Sequence, residues 1–229
     1  MLSQLGWLGL EVKHLEEARR FYETELDMAV LGADEQRCRL AAGPTELLFR
    51  RPQSVPRGGV HTHFALSIPI EEYDDWYERL ADAHDPVEHS FGETRSLYCY
   101  DPDGNCVELG QRDVDGPGID GCFEVVLEVR DLARAQECYE ALGFELVDTG
   151  SDRQRVRLDG PMALEFWEPH LGIADARGGL HVDLGFVTED PDRAADRITD
   201  WIRDRREIET GVRVTDADGH VLTFVTDDV

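Results

Sequence analysis

Apolar positions recur along this chain in two alternating rhythms, and the order in which the rhythms change predicts its elements. Trp7-Leu8-Gly9-Leu10-Glu11-Val12 alternates with a period of two, as a half-buried strand does. Over residues 15–26 the period lengthens, and Ala18, Phe21, Tyr22 and Leu26 share one face of a helix. Short strand-like runs follow. The succession restarts at residues 60–68, with a helix near 71–81 that carries Tyr73, Trp76, Tyr77 and Leu80. It restarts again at 123–129 with a helix over 132–142, and at 180–187 with a helix over 192–202.

Landmarks between these runs also repeat. Val12-Lys13-His14-Leu15 matches Val129-Arg130-Asp131-Leu132, Gly43-Pro44 matches Gly160-Pro161, and Gly58-Gly59 matches Gly178-Gly179. Asp101-Pro102-Asp103-Gly104 matches Asp216-Ala217-Asp218-Gly219. The offset is about 115–120 residues throughout, the size of one domain. The pattern predicts an α+β fold of two tandem domains, residues 1–112 and 119–229, split within the Asp- and Gly-rich segment 111–121. Each domain is expected to contain two βαβββ units forming an open curved sheet, with the helices outside.

The most informative chemistry lies in residues 87–109. Asp101-Pro102-Asp103-Gly104-Asn105 is a turn between two strands, so Tyr98 and Glu108 fall on adjacent strands of one hairpin. Alternation after the turn sends Cys106, Glu108 and Gly110 to one face and Val107 and Leu109 to the other. A carboxylate is therefore aimed where a core residue would otherwise stand. In the strand over 60–68, Thr62, Phe64, Leu66 and Ile68 make the core face, which leaves His61, His63, Ala65 and Ser67 opposite.

The segment from His89 through Leu97-Tyr98, Asp101-Pro102 and Gly104 to Glu108 resembles the signature of extradiol ring-cleavage dioxygenases. These belong to the vicinal-oxygen-chelate superfamily, with glyoxalase I, methylmalonyl-CoA epimerase and antibiotic-resistance proteins. The resemblance implies a glyoxalase/dioxygenase-like fold whose curved sheet holds a divalent metal, with ligands from the first and last strands of each unit. It places His63 and Glu108 at ligand positions and Trp7 where the family carries its first histidine, so a two-histidine, one-carboxylate triad is incomplete. Glu46, which alternates with Leu47 and Phe49 and so faces the cup, is the candidate third ligand, although the family position on that strand is Leu48. His61 is a further candidate donor or substrate contact. The positions in the second domain carry Glu124, Glu165, Asp183 and Thr223, with His181 nearby. Three carboxylates suit a hard cation, but in so acidic a chain they read first as surface, and that domain is expected to lack metal ligands.

By the same resemblance His89 would move protons and Tyr98 would hydrogen-bond substrate oxygens, as catalytic residues beside the metal. The implied activity is metal-dependent, extradiol cleavage of a catechol-type aromatic diol, with Fe(II) favoured over Mn, Ni or Zn. Two alternatives stand beside it. One is another glyoxalase- or epimerase-type enzyme in which Glu46 or Glu108 transfers a proton. The other is a non-catalytic module in which Trp7 stacks on an aromatic small molecule. A homodimer is compatible with each.

Composition narrows the setting. With 49 acidic residues against 23 basic ones the net charge is −26, and Lys13 is the only lysine. Such a surface makes nucleic acid and anionic membrane poor partners and suggests adaptation to high salt, hence a halophilic, cytoplasmic protein. The first ten residues lack a basic start and a sustained apolar run, and no apolar stretch approaches the roughly 20 residues that span a bilayer. Cys38, Cys99, Cys106, Cys122 and Cys138 are odd in number, form no C-x-x-C pair, and are expected to be buried reduced thiols.

Overall fold

A computed structural model describes residues 1–52, 59, 61–151, 154–169 and 183–227. The first unit runs β1 (Leu2–Glu11), α1 (Leu15–Arg20), β2 (Val30–Ala33), β3 (Arg37–Ala42) and β4 (Thr45–Arg50). A π-helical turn, Phe21–Glu25, prolongs α1 to the expected length. The second unit runs β5 (His61–Pro69), α2 (Tyr73–His84), β6 (Val87–Phe91), β7 (Thr94–Tyr100) and β8 (Cys106–Arg112). The third comprises β9 (Gly121–Glu128), α3 (Leu132–Ala141), β10 (Glu145–Thr149), β11 (Arg155–Asp159) and β12 (Ala163–Trp167). In the fourth, β13 (Asp183–Thr188) leads to α4 (Pro191–Arg197), β14 (Ile202–Ile208), β15 (Gly211–Asp216) and β16 (Val221–Val225). This is the expected tandem α+β architecture. Asp131 and Asp190 start α3 and α4 by accepting the backbone N–H of Arg134 and Arg193. The fourth helix is shorter than expected, because the chain tightens at Thr199–Trp201 and enters β14 at Ile202.

The strands form two eight-stranded sheets, β14-β15-β16-β13-β1-β4-β3-β2 and β10-β11-β12-β9-β5-β8-β7-β6. The first unit therefore shares a sheet with the fourth, and the second with the third. That corrects the expectation that the two units of each half build one sheet. The cause is local: β8 lies parallel along one edge of β5, and the short segment after Arg112 returns the chain antiparallel along the other edge as β9. The remaining edge of β1 takes β13 in the same antiparallel way.

The halves interlock. Tyr22 Oη donates to Asp101 at 3.0 Å, and its repeat counterpart Tyr139 donates to Asp216 at 3.1 Å. Lys13 N donates to Asp103 and Arg130 N to Asp218, at 2.7 and 2.9 Å. Loop contacts thus tie each half internally, while the sheets are built across halves. The inward faces of both sheets, with Leu8, Phe49, Phe64, Leu109, Leu127, Phe166, Phe186 and Phe224, belong to one contiguous buried core. All five cysteines are free and buried, as expected. Among the described residues no helix is long and apolar enough to cross a membrane.

Candidate functional site

Four central strands of the second sheet, β12, β9, β5 and β8, send one charged or imidazole side chain each to the face away from the core: Glu165, Glu124, His63 and Glu108. They line a cleft of about 470 Å³. Alternation explains the placement, since Val107 and Leu109 are fully buried in the core on either side of Glu108, and Phe64 flanks His63 in the same way.

His63 Nε2 lies 3.2 Å from Glu108 Oε2. Its other ring nitrogen is 3.1 Å from Thr62 Oγ1, which fixes the ring and leaves Nε2 towards the cleft. Ser96 Oγ donates to Glu108 Oε1 at 2.7 Å, and the hydroxyl of Tyr98, directly opposite on β7, also bonds this carboxylate. Burial works to raise the Glu108 pKa, but the hydrogen bond and charge of His63, with Ser96 and Tyr98, prevail and hold it below the ordinary glutamate value. Burial, with the Glu108 charge beside it, pushes Tyr98 far above the usual phenol range, so its hydroxyl stays protonated as a donor.

The other wall is carboxylate and guanidinium. Arg157 ion-pairs with Glu124, and the same nitrogen is 3.4 Å from Glu165. Arg155 bridges Glu165 at 3.0 Å and Asp148 at 2.5 Å, while Trp167 Nε1 donates to Glu165. Burial raises the pKa of Glu124 against the opposing pull of Arg157. Arg112 also lines the cleft with its guanidinium 3.7 Å from the centre of the Phe123 ring, and burial lowers its pKa.

The expected site residues separate into two groups. His63, Glu108 and Tyr98 come together as the alternation required. His89 sits on the exposed edge strand β6, and its ring meets Tyr98 edge-on at 5.4 Å, as Tyr98 in turn meets His63 at 5.4 Å. It therefore touches the site through Tyr98 and is not part of the cleft lining. Glu46 and Trp7 lie on β4 and β1, in the other sheet, which removes Glu46 as a third ligand beside His63 and Trp7 as a contact for the same substrate. Glu46 is instead bonded through both oxygens to Arg39, at 2.6 and 2.5 Å. Trp7 lies over Gly185, where a Cβ would stand 2.0 Å from its ring, so the indole fills the corresponding position of the first sheet. Asp183 there is fully buried and neutralised by Arg50 and Arg213, each at 3.2 Å, with Thr223 donating at 2.6 Å. The side chain of His61 and the whole of His181 fall outside the described residues.

Glu124 and Glu165 are the residues that sequence reasoning set aside. Both are 6% exposed and belong to the cleft, not the acidic surface. The repeat held the signal, because Glu124 is the counterpart of Trp7 and Glu165 of Leu48. What was missing was the pairing of the second unit with the third.

One imidazole and three carboxylates are a donor set suited to a divalent cation. Among the described residues, however, no three such groups converge closely enough to hold one in this conformation. Arg157, lying against Glu124 and Glu165, supplies the positive charge instead. The donors thus fit a metal in kind, with His63 and Glu108 adjacent and the other two engaged by arginine.

Residues 4–109 match the family model described as Glyoxalase/Bleomycin resistance protein/Dioxygenase superfamily. Metallothiol transferase FosB of Staphylococcus saprophyticus is 26% identical over 118 residues, which cover 48% of this chain and 77% of that protein. Among solved structures, a protein proposed to be a dioxygenase from Bacillus subtilis superimposes with a TM-score of 0.75 at 16% identity, over 100% of this chain and 86% of that one. Glyoxalase I from Zea mays superimposes with a TM-score of 0.72 at 21% identity, over 97% and 92%. The two structural likenesses show a shared fold. The family match covers the first half of the chain, and the shared fold extends over nearly all of it.

Proposed function

We propose that the cleft of the second sheet is the site of a metal-dependent enzyme acting on a small oxygen-bearing molecule. The observation that carries this reading is the buried His63–Glu108 pair, 3.2 Å apart at the floor of an open cleft and bonded by Ser96 and Tyr98. His63 and Glu108 would hold the ion, with Glu124 and Glu165 completing the set once Arg157, Arg155 and Trp167 release them. A divalent ion supplies Lewis acidity and a template for reactants. The residues do the rest: Tyr98 steadies the Glu108 carboxylate with its protonated hydroxyl, Trp167 and Phe91 offer ring faces, and His89, edge-on to Tyr98 beside the cleft, would exchange protons with the substrate.

The dioxygenase reading, extradiol opening of an aromatic diol with Fe(II), rests on the succession His89, Tyr98, His63. The test is anaerobic reconstitution with Fe(II), then oxygen uptake and absorbance with a panel of catechols. Replacing His89 by glutamine should slow turnover about 10²–10⁴-fold with metal content unchanged. A second reading, metal-assisted proton transfer next to a carbonyl, draws on the single imidazole among three carboxylates, where Glu124 or Glu165 would serve as base. A protein that takes up no oxygen with any catechol, yet exchanges deuterium into a hydroxyketone, would replace the first reading by the second.

A further inference from the structure

The two sheets end in four edge strands, β14, β2, β10 and β6. A bare edge offers its backbone N–H and C=O groups to another chain, and proteins blunt such edges with bulges, charges or short strands. Three of the four are blunted in this way. β14 shifts register between Ile202 and Asp204 and carries five charged residues in a row, 203–207. β2 is four residues long with a shift between Val30 and Gly32, and β10 shifts between Leu146 and Asp148. Among the described residues β6 alone pairs in unbroken register, from Val87 opposite Tyr98 to Phe91 opposite Thr94. All five of its residues are exposed, and the apolar ones, Val87 and Phe91, are 54% and 57% exposed.

Gly92, with φ +65°, opens the two-residue turn Gly92-Glu93, so Phe91 and Thr94 are the hydrogen-bonded pair that closes it. Pair types alternate along an antiparallel ladder, which bonds His89 and Val87 to β7 and directs the N–H and C=O of Glu88 and Ser90 out of the sheet. The amide of Arg95, opposite Ser90, agrees, since it donates away from β6 to Gln111 Oε1 at 2.8 Å. We propose that β6 is the contact strand of a homodimer, in which a second copy of the chain adds its own β6 antiparallel about a twofold axis at His89. Glu88 then faces Ser90 of the second copy, and the two such pairs exchange four backbone hydrogen bonds. Val87 faces the other copy's Phe91, so each exposed apolar side chain meets another. A register centred on Glu88 would oppose two carboxylates, and one centred on Ser90 would run Glu88 against the turn at Gly92. Pro86, which has no N–H, ends the ladder. Glu88 is already engaged, accepting from Tyr73 Oη at 2.9 Å with Arg95 at 3.6 Å. Two chains of charge −26 repel each other, so the dimer forms as salt rises. Because Phe91 lines the cleft, the axis sets the two clefts side by side.

The test is analytical ultracentrifugation of the full chain in about 0.1 M and about 1 M potassium chloride, between which the screening length falls from about 10 to about 3 Å. The mass should approach twice the 25.9 kDa of one chain at the higher salt and fall back at the lower. Ser90→Pro removes an N–H that β7 does not use, so it should keep the wild-type circular dichroism spectrum and stay monomeric at both salts. His89→Cys should form a covalent dimer on oxidation with diamide, because residues facing each other in a non-bonded pair stand about 4.5 Å apart between Cα atoms, within reach of a disulfide. Val87→Cys, whose two copies lie at opposite ends of the ladder, should not, and the native cysteines are buried and do not compete. His89→Cys carries the test should Ser90→Pro fail to fold. A wild type that stays monomeric at every salt overturns the proposal and assigns the edge to a strand of another protein. A dimer that Ser90→Pro leaves intact, or one that cross-links through Val87→Cys and not His89→Cys, overturns it as well.

Discussion

Replacing Asp101 by alanine should destabilise the protein by about 3–5 kcal/mol, a large part of the roughly 5–15 kcal/mol stability of a typical domain. The magnitude comes from four donors that converge on one carboxylate. Oδ1 accepts the backbone N–H of Asp103 and Asn105 at 2.9 and 2.8 Å, and Oδ2 accepts Asn105 Nδ2 and Tyr22 Oη at 2.8 and 3.0 Å. Tyr22 is fully buried and water has no access to it, so its orphaned hydroxyl alone costs about 1–3 kcal/mol. The amides of Asp103 and Asn105 belong to buried residues, so they recover little of their loss from solvent. Tyr22→Phe, which removes one donor and leaves three, should cost about 1 kcal/mol. Asp216 repeats the arrangement, with the amides of Asp218, Gly219 and His220 and the hydroxyl of Tyr139. Asp216→Ala should therefore match Asp101→Ala to within about 1 kcal/mol. Urea unfolding followed by far-ultraviolet circular dichroism, extrapolated to water, measures all three. A cost below about 1 kcal/mol for Asp101→Ala, or strongly unequal costs for the two aspartates, would refute the reasoning.

Gly185→Ala should destabilise by about 1–3 kcal/mol because its Cβ would enter the Trp7 ring, and the same substitution in a Trp7→Ala background should cost much less; thermal melts of the four proteins read the coupling. The Glu108 pKa is held below its ordinary value, so its stabilising contribution is full above the unfolded glutamate pKa near 4.5 and disappears as pH falls through the depressed folded value. Urea midpoints of the wild type and Glu108→Gln should accordingly converge in that acid window and diverge above it. The charge of −26 predicts a melting temperature that rises as potassium chloride approaches the molar range, and a midpoint indifferent to salt would remove the halophilic reading.

The hairpin was legible from the sequence because its information is local. A Pro-Asp-Gly turn and a period of two place Tyr98 opposite Glu108, with Val107 and Leu109 in the core. His63 was legible for the same reason. Alternation states which side of a strand faces inward, but not which strand lies beside it, and the pairing of β5 with β9 is a long-range choice made in packing. Glu124 and Glu165 were hidden by that choice and by the acidic composition, in which two more carboxylates carry little signal. Trp7 and Glu46 misled because both were read into the cup that holds His63, when each belongs to the other sheet.

The central claim is that one site is assembled across the two halves, His63 and Glu108 from the first and Glu124 and Glu165 from the second. Equilibrium dialysis against excess Mn²⁺ followed by elemental analysis tests it directly, on the wild type, Glu108→Gln, the double variant Glu124→Gln/Glu165→Gln, and Asp183→Asn. The wild type and Asp183→Asn should retain one ion per chain, and the double variant should lose it as fully as Glu108→Gln. Retention of the ion by the double variant, or its loss from Asp183→Asn alone, would contradict the account.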